Sequence, residues 1–386
     1  MRILFVNHTG LKSGAETVTL DLLTRLPASI NPVLACPPGR LADDARADGI
    51  PVTSISGVSA SLRLHPANTL RGIGQLVRMG WNIRALARHL RADLVHATSI
   101  RAGLAACLPP GPRAPVAVSL HDCLPPGPAS TLTQRLVDAR AAVVFANSCY
   151  TARAWRSAER SGPPLRVVYP GIDLTRQAAV DRHAARARIG LAGPGPLLGV
   201  AAQITPWKGQ AIAIRALRGV RQRLPGAQLA LVGEPKFVAR ATRYDNSAYL
   251  GELRSLVAAL GLESAVHFLG QRDDMPTVMA AIDVLLVPSI EEPFGLVVVE
   301  AMAAGTPVVA TTDGGPAEII RDGIDGRLVP PRDAERWAST VCDVLLDPTA
   351  RARLTEAGHD RARRFSAERY ATEVVAGYER ALCVGC

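Results

Sequence analysis

EEPFGLVVVEAMAAGTPVVATTD, residues 291 to 313, follows the apolar run Val284 to Pro288 and runs into a second one, Pro307 to Thr311. An acidic turn comes first, then Gly295, where the missing side chain lets the backbone come close to a ligand. A helical stretch carries Glu300 and ends before Gly305. Strand, turn, helix and strand in this order make a polar pocket floor. The first backbone N–H groups of such a helix favour negative charge, so a diphosphate or a set of sugar hydroxyls can be held there without a metal. Glu292 and Glu300 lie eight residues apart. If the helix extends back to the turn, that is about two turns and about 12 Å. Such a distance is too long for two carboxyls sharing a proton, and it suits two acceptors that grip different parts of a polyhydroxylated ligand.

Outward from this stretch the same alternation continues. In the second half, Leu197 to Ala201, Gln228 to Val232 and Val266 to Leu269 join the two runs above as five expected strands, each followed by a turn or helical stretch. In the first half the expected strands are Ile3 to Asn7, Pro32 to Cys36, Asp93 to His96, Val116 to Leu120 and Val143 to Ala146. Helices are expected over Ala15 to Leu26, Leu70 to Leu90 and Thr131 to Ala139. The class is α/β, with two doubly wound parallel sheets. VVYPGID, 167 to 173, has the Pro and Gly punctuation of a link, so the expected domains are residues 1–170 and 171–365, with a last helix at about 366–386 returning to the first. Ligands of open parallel sheets bind beyond the carboxyl ends of the strands, and two such domains facing each other make a cleft.

Composition narrows the function classes. The chain has 386 residues, 48% of them hydrophobic, enough for two buried cores. No apolar stretch approaches the roughly 18 residues that suggest a bilayer-spanning helix. MRILFVNHTG has the pattern of a buried first strand and not of a signal peptide, so a cytoplasmic location is expected. The seven cysteines are scattered and odd in number, which argues for reduced thiols; Cys383 and Cys386 form a CxxC with no second pair to complete a metal site, and no metal is expected. Residues 1–170 hold 19 Lys and Arg against 9 Asp and Glu, and the rest of the chain is balanced at 25 and 25. Within the first half, RGIGQLVRMGWNIRALARHLR, 71 to 91, sets Ile73, Leu76, Val77, Trp81, Arg84 and Arg88 at helical spacing. A helix of this kind lies on anionic lipid, faces an anionic acceptor, or is a solvated outer helix. The basic charge lacks the aromatic interleaving of a nucleic-acid surface, and no such partner is expected.

EEPFGLVVVEAM resembles the E-x7-E signature of family 4 retaining glycosyltransferases of the GT-B fold. The similarity continues through QITPWKGQ (203–210), LVGE (231–234), FLGQRDDMP (268–276), AIDVLLVPS (281–289) and GTPVVATTDGGPAEII (305–320), and more loosely through SGAE (13–16), SLHD (119–122) and VFANS (144–148). The resemblance implies two facing Rossmann-like domains, a nucleoside diphosphate sugar as co-substrate and no other cofactor. It implies that Glu300 holds the ribose hydroxyls, that Glu292 and the backbone of Phe294, Gly295 and Leu296 hold the donor sugar, that Lys208 binds the diphosphate, and that the loop around Arg272 packs on the base. Uracil is the expected base. His121 resembles the family's cleft histidine, which bonds the donor sugar, although a strand-end histidine also serves structure alone. Asp122, His96 and Ser148 are poorer candidates for acceptor contacts.

Lys208 also makes chemical sense by itself. The chain has three lysines, Lys12, Lys208 and Lys236, against 41 arginines, and Lys208 sits in a Trp-Lys-Gly turn after a buried strand. A compact ammonium there neutralises a leaving diphosphate; the plainer alternative is a capping or solvated lysine. Two positions depart from the family pattern. Gln203 stands where an arginine usually shares the diphosphate, and a neutral amide hydrogen-bonds without offsetting charge. Ser13-Gly14 stands where Gly-Gly is usual, and a lone Gly14 in this strand-to-helix loop resembles a plain turn as much as a phosphate-approach loop. Asp273 and Asp274, followed by Met-Pro, have the pattern of a helix N-cap and not of a metal pair.

The implied reaction is retaining transfer of a sugar to a hydroxyl acceptor, either a lipid or cell-envelope glycan precursor or a small natural product. The basic first half adds peripheral contact with an anionic membrane on its inner face. A nucleotide-sugar epimerase of the same fold and a non-catalytic sugar-nucleotide-binding protein are the alternatives, separated from the transferase by donor consumption without acceptor and by binding without turnover.

Overall fold

A computed structural model describes the chain except residues 59–65, 157–160, 177–180, 237–243 and 384–386 and the side chains of 66–71 and 383. Cys386, and with it the terminal CxxC, lies outside the described residues. The chain divides into two compact units, one of residues 1–171 with 367–386 and one of residues 172–366.

The first unit begins β1 (Arg2–Val6), α1 (Gly14–Leu23), β2 (Asn31–Cys36), α2 (Arg40–Ala47), β3 (Val52–Ser54) and α3 (Pro66–His89). It continues β4 (Leu94–Ala97), α4 (Ile100–Cys107), β5 (Val116–Leu120), α5 (Pro128–Asp138), β6 (Ala141–Ala146), α6 (Cys149–Trp155) and β7 (Leu165–Val167). Its seven strands are all parallel in the order β3-β2-β1-β4-β5-β6-β7. Ile3, Leu4, Phe5 and Val6 are all buried, because helices on both faces of a parallel sheet leave its central strands no wet side. Met79, Ile83 and Ala87 of α3 pack into the same core as Val95, Val118 and Leu120.

The second unit runs α7 (Arg182–Arg188), β8 (Leu197–Ala201), α8 (Gln210–Arg223), β9 (Gln228–Val232), α9 (Asn246–Ala259), β10 (Val266–Gly270), α10 (Met275–Ala281) and β11 (Val284–Val287). Then come α11 (Leu296–Ala303), β12 (Val308–Thr311), α12 (Pro316–Ile319), β13 (Arg327–Val329), α13 (Ala334–Leu346) and α14 (Pro348–Ala362). Six parallel strands lie in the order β10-β9-β8-β11-β12-β13. Trp337 of α13, fully buried, packs with Leu217 and Val220 of α8 and Leu286 of β11 in one core cluster. The last helix, α15 (Ala367–Cys383), belongs to the first unit and packs on α1 and β6. A Cβ on its Gly377 would stand 2.3 Å from the Phe145 ring, so the helix lies directly on the sheet.

Each sheet has one place where the chain changes direction of growth, between β1 and β4 in the first unit and between β8 and β11 in the second. At such a switch point the neighbouring loops diverge to opposite faces and open a crevice beyond the strand ends.

Candidate functional site

At the switch point of the second unit, the loop after β8 carries Lys208 and the loop after β11 carries Ser289 and Glu292. The Lys208 ammonium donates to both carboxylate oxygens of Glu292, at 3.0 and 2.8 Å, and the Ser289 hydroxyl donates to Oε2 at 2.7 Å. Glu292 is 5% exposed, so its charge needs these partners, and the pair satisfies the rule that buried charges are matched. Trp207 steadies the lysine from the side, its ring centre 4.1 Å from Nζ. The two loops are also joined by backbone, since Ile290 N–H donates to the Trp207 carbonyl at 2.8 Å.

Glycines make this crossing possible. Gly209 has φ +72, and a Cβ there would stand 1.9 Å from the Pro288 carbonyl oxygen, so the lysine turn touches the end of β11 directly. Gly314 has φ +116 and would place a Cβ 2.0 Å from the Glu292 carbonyl oxygen, which itself accepts from Gly315 N–H at 2.8 Å. The backbone of Glu292 is therefore clamped to the loop after β12, and only a residue without a side chain fits beside it.

Helix α11 begins at Leu296, with Gly295 at its N-cap at φ +94. Glu292 thus lies outside the helix, and the helical spacing of about 12 Å to Glu300 does not apply to it. The left-handed turn at Gly295 is the reason the helix cannot reach back. Glu300 is half-buried in the second turn of α11, and Phe294, 3% exposed, packs edge-on to Phe365 with ring centres 5.9 Å apart. Gln203 turns its amide to the Lys236 carbonyl at 3.3 Å, and Gln210 Nε2 donates to the Gln203 carbonyl at 2.8 Å. The first bond ties the loop after β8 to the loop after β9, and the second ties it to the start of α8. Arg272 forms a two-pronged pair with Asp274, both contacts 2.8 Å. Asp274 holds the N-cap position of α10, as its sequence suggests, yet its carboxylate serves Arg272 and makes no capping bond. That partner holds the Asp274 carboxyl below its usual range.

In the first unit the switch point is bridged differently. His8, after β1, pairs through Nδ1 with Ser99 Oγ at 2.9 Å, and Arg101, on α4, reaches His8 Nε2 at 3.2 Å. Burial drives His8 down to about 3, helped by the Arg101 charge, so the imidazole is neutral at pH 7. Arg101 is itself lowered by burial, with Asp122 pulling the other way. His121, just past β5, is lowered by burial and opposed by Asp122, and its carbonyl accepts from Asn147 at 3.2 Å. Gly14 opens α1, where an added Cβ would meet nothing within 4 Å, so packing does not demand a glycine there. Ser13 N–H donates to Glu16 Oε2 at 3.0 Å and closes the start of that helix.

His96 and Ser148 are not free to touch a ligand. His96, 1% exposed, holds the Tyr378 hydroxyl at 2.5 Å and Ser119 at 2.7 Å, and burial lowers it to about 3. Ser148 is fully buried and caps α6 through Thr151 N–H at 3.0 Å. Both are parts of the sheet's own packing.

Comparison with known proteins gives the family of the chain. Residues 12–176 match the model described as Glycosyltransferase Family 4, and residues 181–361 match Glycosyl transferases group 1. A D-inositol 3-phosphate glycosyltransferase of Mycolicibacterium vanbaalenii is 32% identical over 98% of this chain and 84% of its own. The chain belongs to glycosyltransferase family 4. A second protein of the same description, from Saccharomonospora viridis, is 36% identical over 56% of this family 4 glycosyltransferase and half of its own length. The Anabaena protein Alr3699/HepE, solved in complex with UDP-glucose, superposes with a TM-score of 0.84 at 27% identity, over 98% of this chain and all of that one. The fold of this family 4 glycosyltransferase is GT-B, two Rossmann-like units. Its sequence-derived candidates Gln203, Lys208, Arg272, Glu292, Phe294, Gly295, Leu296 and Glu300 lie on the second unit, and Gly14 and His121 on the first. Sequence reasoning missed Ser289, the residue two past β11, and the His8, Ser99 and Arg101 set; the signal that finds all four is their place at a switch point.

Proposed function

We propose that this family 4 glycosyltransferase moves a hexosyl group from a nucleoside diphosphate sugar, UDP-glucose or a close relative, to a hydroxyl acceptor with retention at the anomeric carbon. The observation that carries the reading is the cluster of half-buried Lys208 with buried Glu292 and Ser289 beside the start of α11. In the transfer, the bond from the anomeric carbon to the diphosphate oxygen breaks, a bond to the acceptor oxygen forms, and the acceptor proton passes to the departing phosphate. Lys208, which has three N–H donors, and the first N–H groups of α11 meet the charge that grows on the diphosphate, in place of a metal ion. Glu292 accepts a sugar hydroxyl. Bound by an ammonium and a hydroxyl, its carboxylate is a poor nucleophile, which favours same-face attack over a covalent glycosyl-enzyme. Glu300 takes the ribose hydroxyls, the Phe294, Gly295 and Leu296 backbone the sugar and phosphate, Gln203 the diphosphate, and the Arg272 loop the base. Gly14 leaves room for the donor, and His121 hydrogen-bonds the transferring sugar.

The acceptor carries negative charge, whether it is a lipid or cell-envelope glycan precursor or a small natural product. Arg101, a guanidinium at the first unit's switch point against a neutral His8, supports that assignment, as does the similarity to proteins described as D-inositol 3-phosphate glycosyltransferases. Thermal shift against UDP, UDP-glucose, GDP and ADP tests the donor: a uridine nucleotide raises Tm, because a ligand that binds only the folded chain stabilises it. The anomeric configuration of the product, by NMR, tests retention. No shift with any nucleotide, or an inverted product, would overturn the reading.

A further inference from the structure

Helix α3 has two faces. Met79, Ile83 and Ala87 are buried inward, while Ile73, Val77 and Trp81, each four residues on from the last, are 51%, 37% and 56% exposed. Three large apolar side chains in a row on the outside of a helix are unusual where nothing covers them. Arg84 and Arg88 fall on the same side by helical period, and Arg78 flanks it. Arg84 is partly engaged, its Nη1 donating to the Gly111 carbonyl at 3.2 Å, and Arg78 and Arg88 are exposed. Helix α3 contains no acidic residue. Between Asp48 and Asp122 the chain has eight arginines and a single carboxylate, Asp93.

We propose that the outward face of α3 docks on an anionic lipid bilayer, with Ile73, Val77 and Trp81 entering the headgroup boundary and Arg78, Arg84 and Arg88 meeting lipid phosphates. The pattern of an apolar stripe, an indole and surrounding cations without acids is what an interfacial helix requires. The stripe is too short and too charged to insert, and no helix among the described residues is long and apolar enough to cross a membrane. A second copy of the chain fits the face poorly, since an isologous pairing would set these arginines against their own copies without carboxylates between them. Docking of this kind keeps the protein at a surface rather than choosing its substrate, so it stands independently of the donor assignment.

The test is co-sedimentation of the full chain with vesicles of phosphatidylcholine alone or mixed with phosphatidylglycerol. The protein is expected to sediment with the mixed vesicles and not with the neutral ones, and to be released as salt rises and the Debye length shrinks. The double variant Ile73→Gln, Trp81→Gln is expected to weaken binding about tenfold or more. The double variant Arg78→Glu, Arg88→Glu is expected to weaken it by at least about 25-fold, at about fivefold for each lost arginine. All four positions are exposed, and an unchanged Tm with an unchanged nucleotide-induced shift certifies the fold and separates this result from any failure of the donor site. Equal sedimentation of wild type and both variants would overturn the proposal. So would a wild type that stays in the supernatant at low salt, or a dimer in solution that the Ile73→Gln, Trp81→Gln variant abolishes.

Discussion

The two units solve one topological problem in two ways. In the second, the switch point is closed by a charged pair, Lys208 on Glu292, with glycines that let three loops touch. In the first, it is closed by a neutral histidine, a serine and a half-buried arginine, with Asp122 as the carboxylate whose charge acts on both Arg101 and His121. A charged pair with a spare N–H suits a diphosphate, whose charge grows during reaction. A guanidinium against a neutral ring suits an anion whose charge stays constant.

The largest effect that would sharpen this contrast is at Lys208. Lys208→Ala is expected to lower kcat/KM by about 100- to 1000-fold and to abolish the nucleotide-induced Tm shift, with circular dichroism unchanged. A loss no greater than that of the exposed Arg215→Ala would break the contrast. Gly314→Ala is expected to cost about 2 to 4 kcal/mol in urea unfolding, since its Cβ would stand 2.0 Å from the Glu292 carbonyl oxygen at φ +116. Glu300→Gln, which keeps shape and loses charge, is expected to raise the nucleotide Kd about tenfold in calorimetry.

A further test is a pH dependence located in the first unit. His96 is held neutral, with its folded pKa lowered to about 3 from 6.5. Its neutral form contributes full stability above the unfolded value, and that contribution falls as pH drops from about 6.5 toward 3, because the unfolded chain takes up the proton first. The slope is about 1.4 kcal/mol per pH unit. His96→Gln is expected to flatten that limb of the stability curve measured by denaturant midpoints; an unchanged slope would place the acid sensitivity elsewhere.

Much of this was legible in sequence. Val116 to Leu120, Leu197 to Ala201 and Gln228 to Val232 are strands with the expected bounds, since a strand buried on both faces is written as an unbroken apolar run. The edge strands β3, β7 and β13 have three residues each, most of them only partly buried, and are too short to show a period. The helix expected from Leu70 to Leu90 is Pro66–His89, because a proline in the first turn needs no donor and starts a helix that hydropathy alone does not show. Glu292 was legible as a candidate, yet its place outside α11 was not, as that depends on the backbone angle at Gly295.

Local composition determined the α/β class, the spacing of Glu292 and Glu300, and the single lysine in its Trp-Lys-Gly turn, because these depend on near neighbours in the chain. Only the folded chain decided that Lys208 meets Glu292 across 84 residues, that His8 meets Ser99 across 91, and that Trp81 faces outward while Ile83 faces in. Those contacts depend on which parallel strands become neighbours, and strand order is settled by how helices cover the sheets, a choice that no stretch of sequence contains by itself.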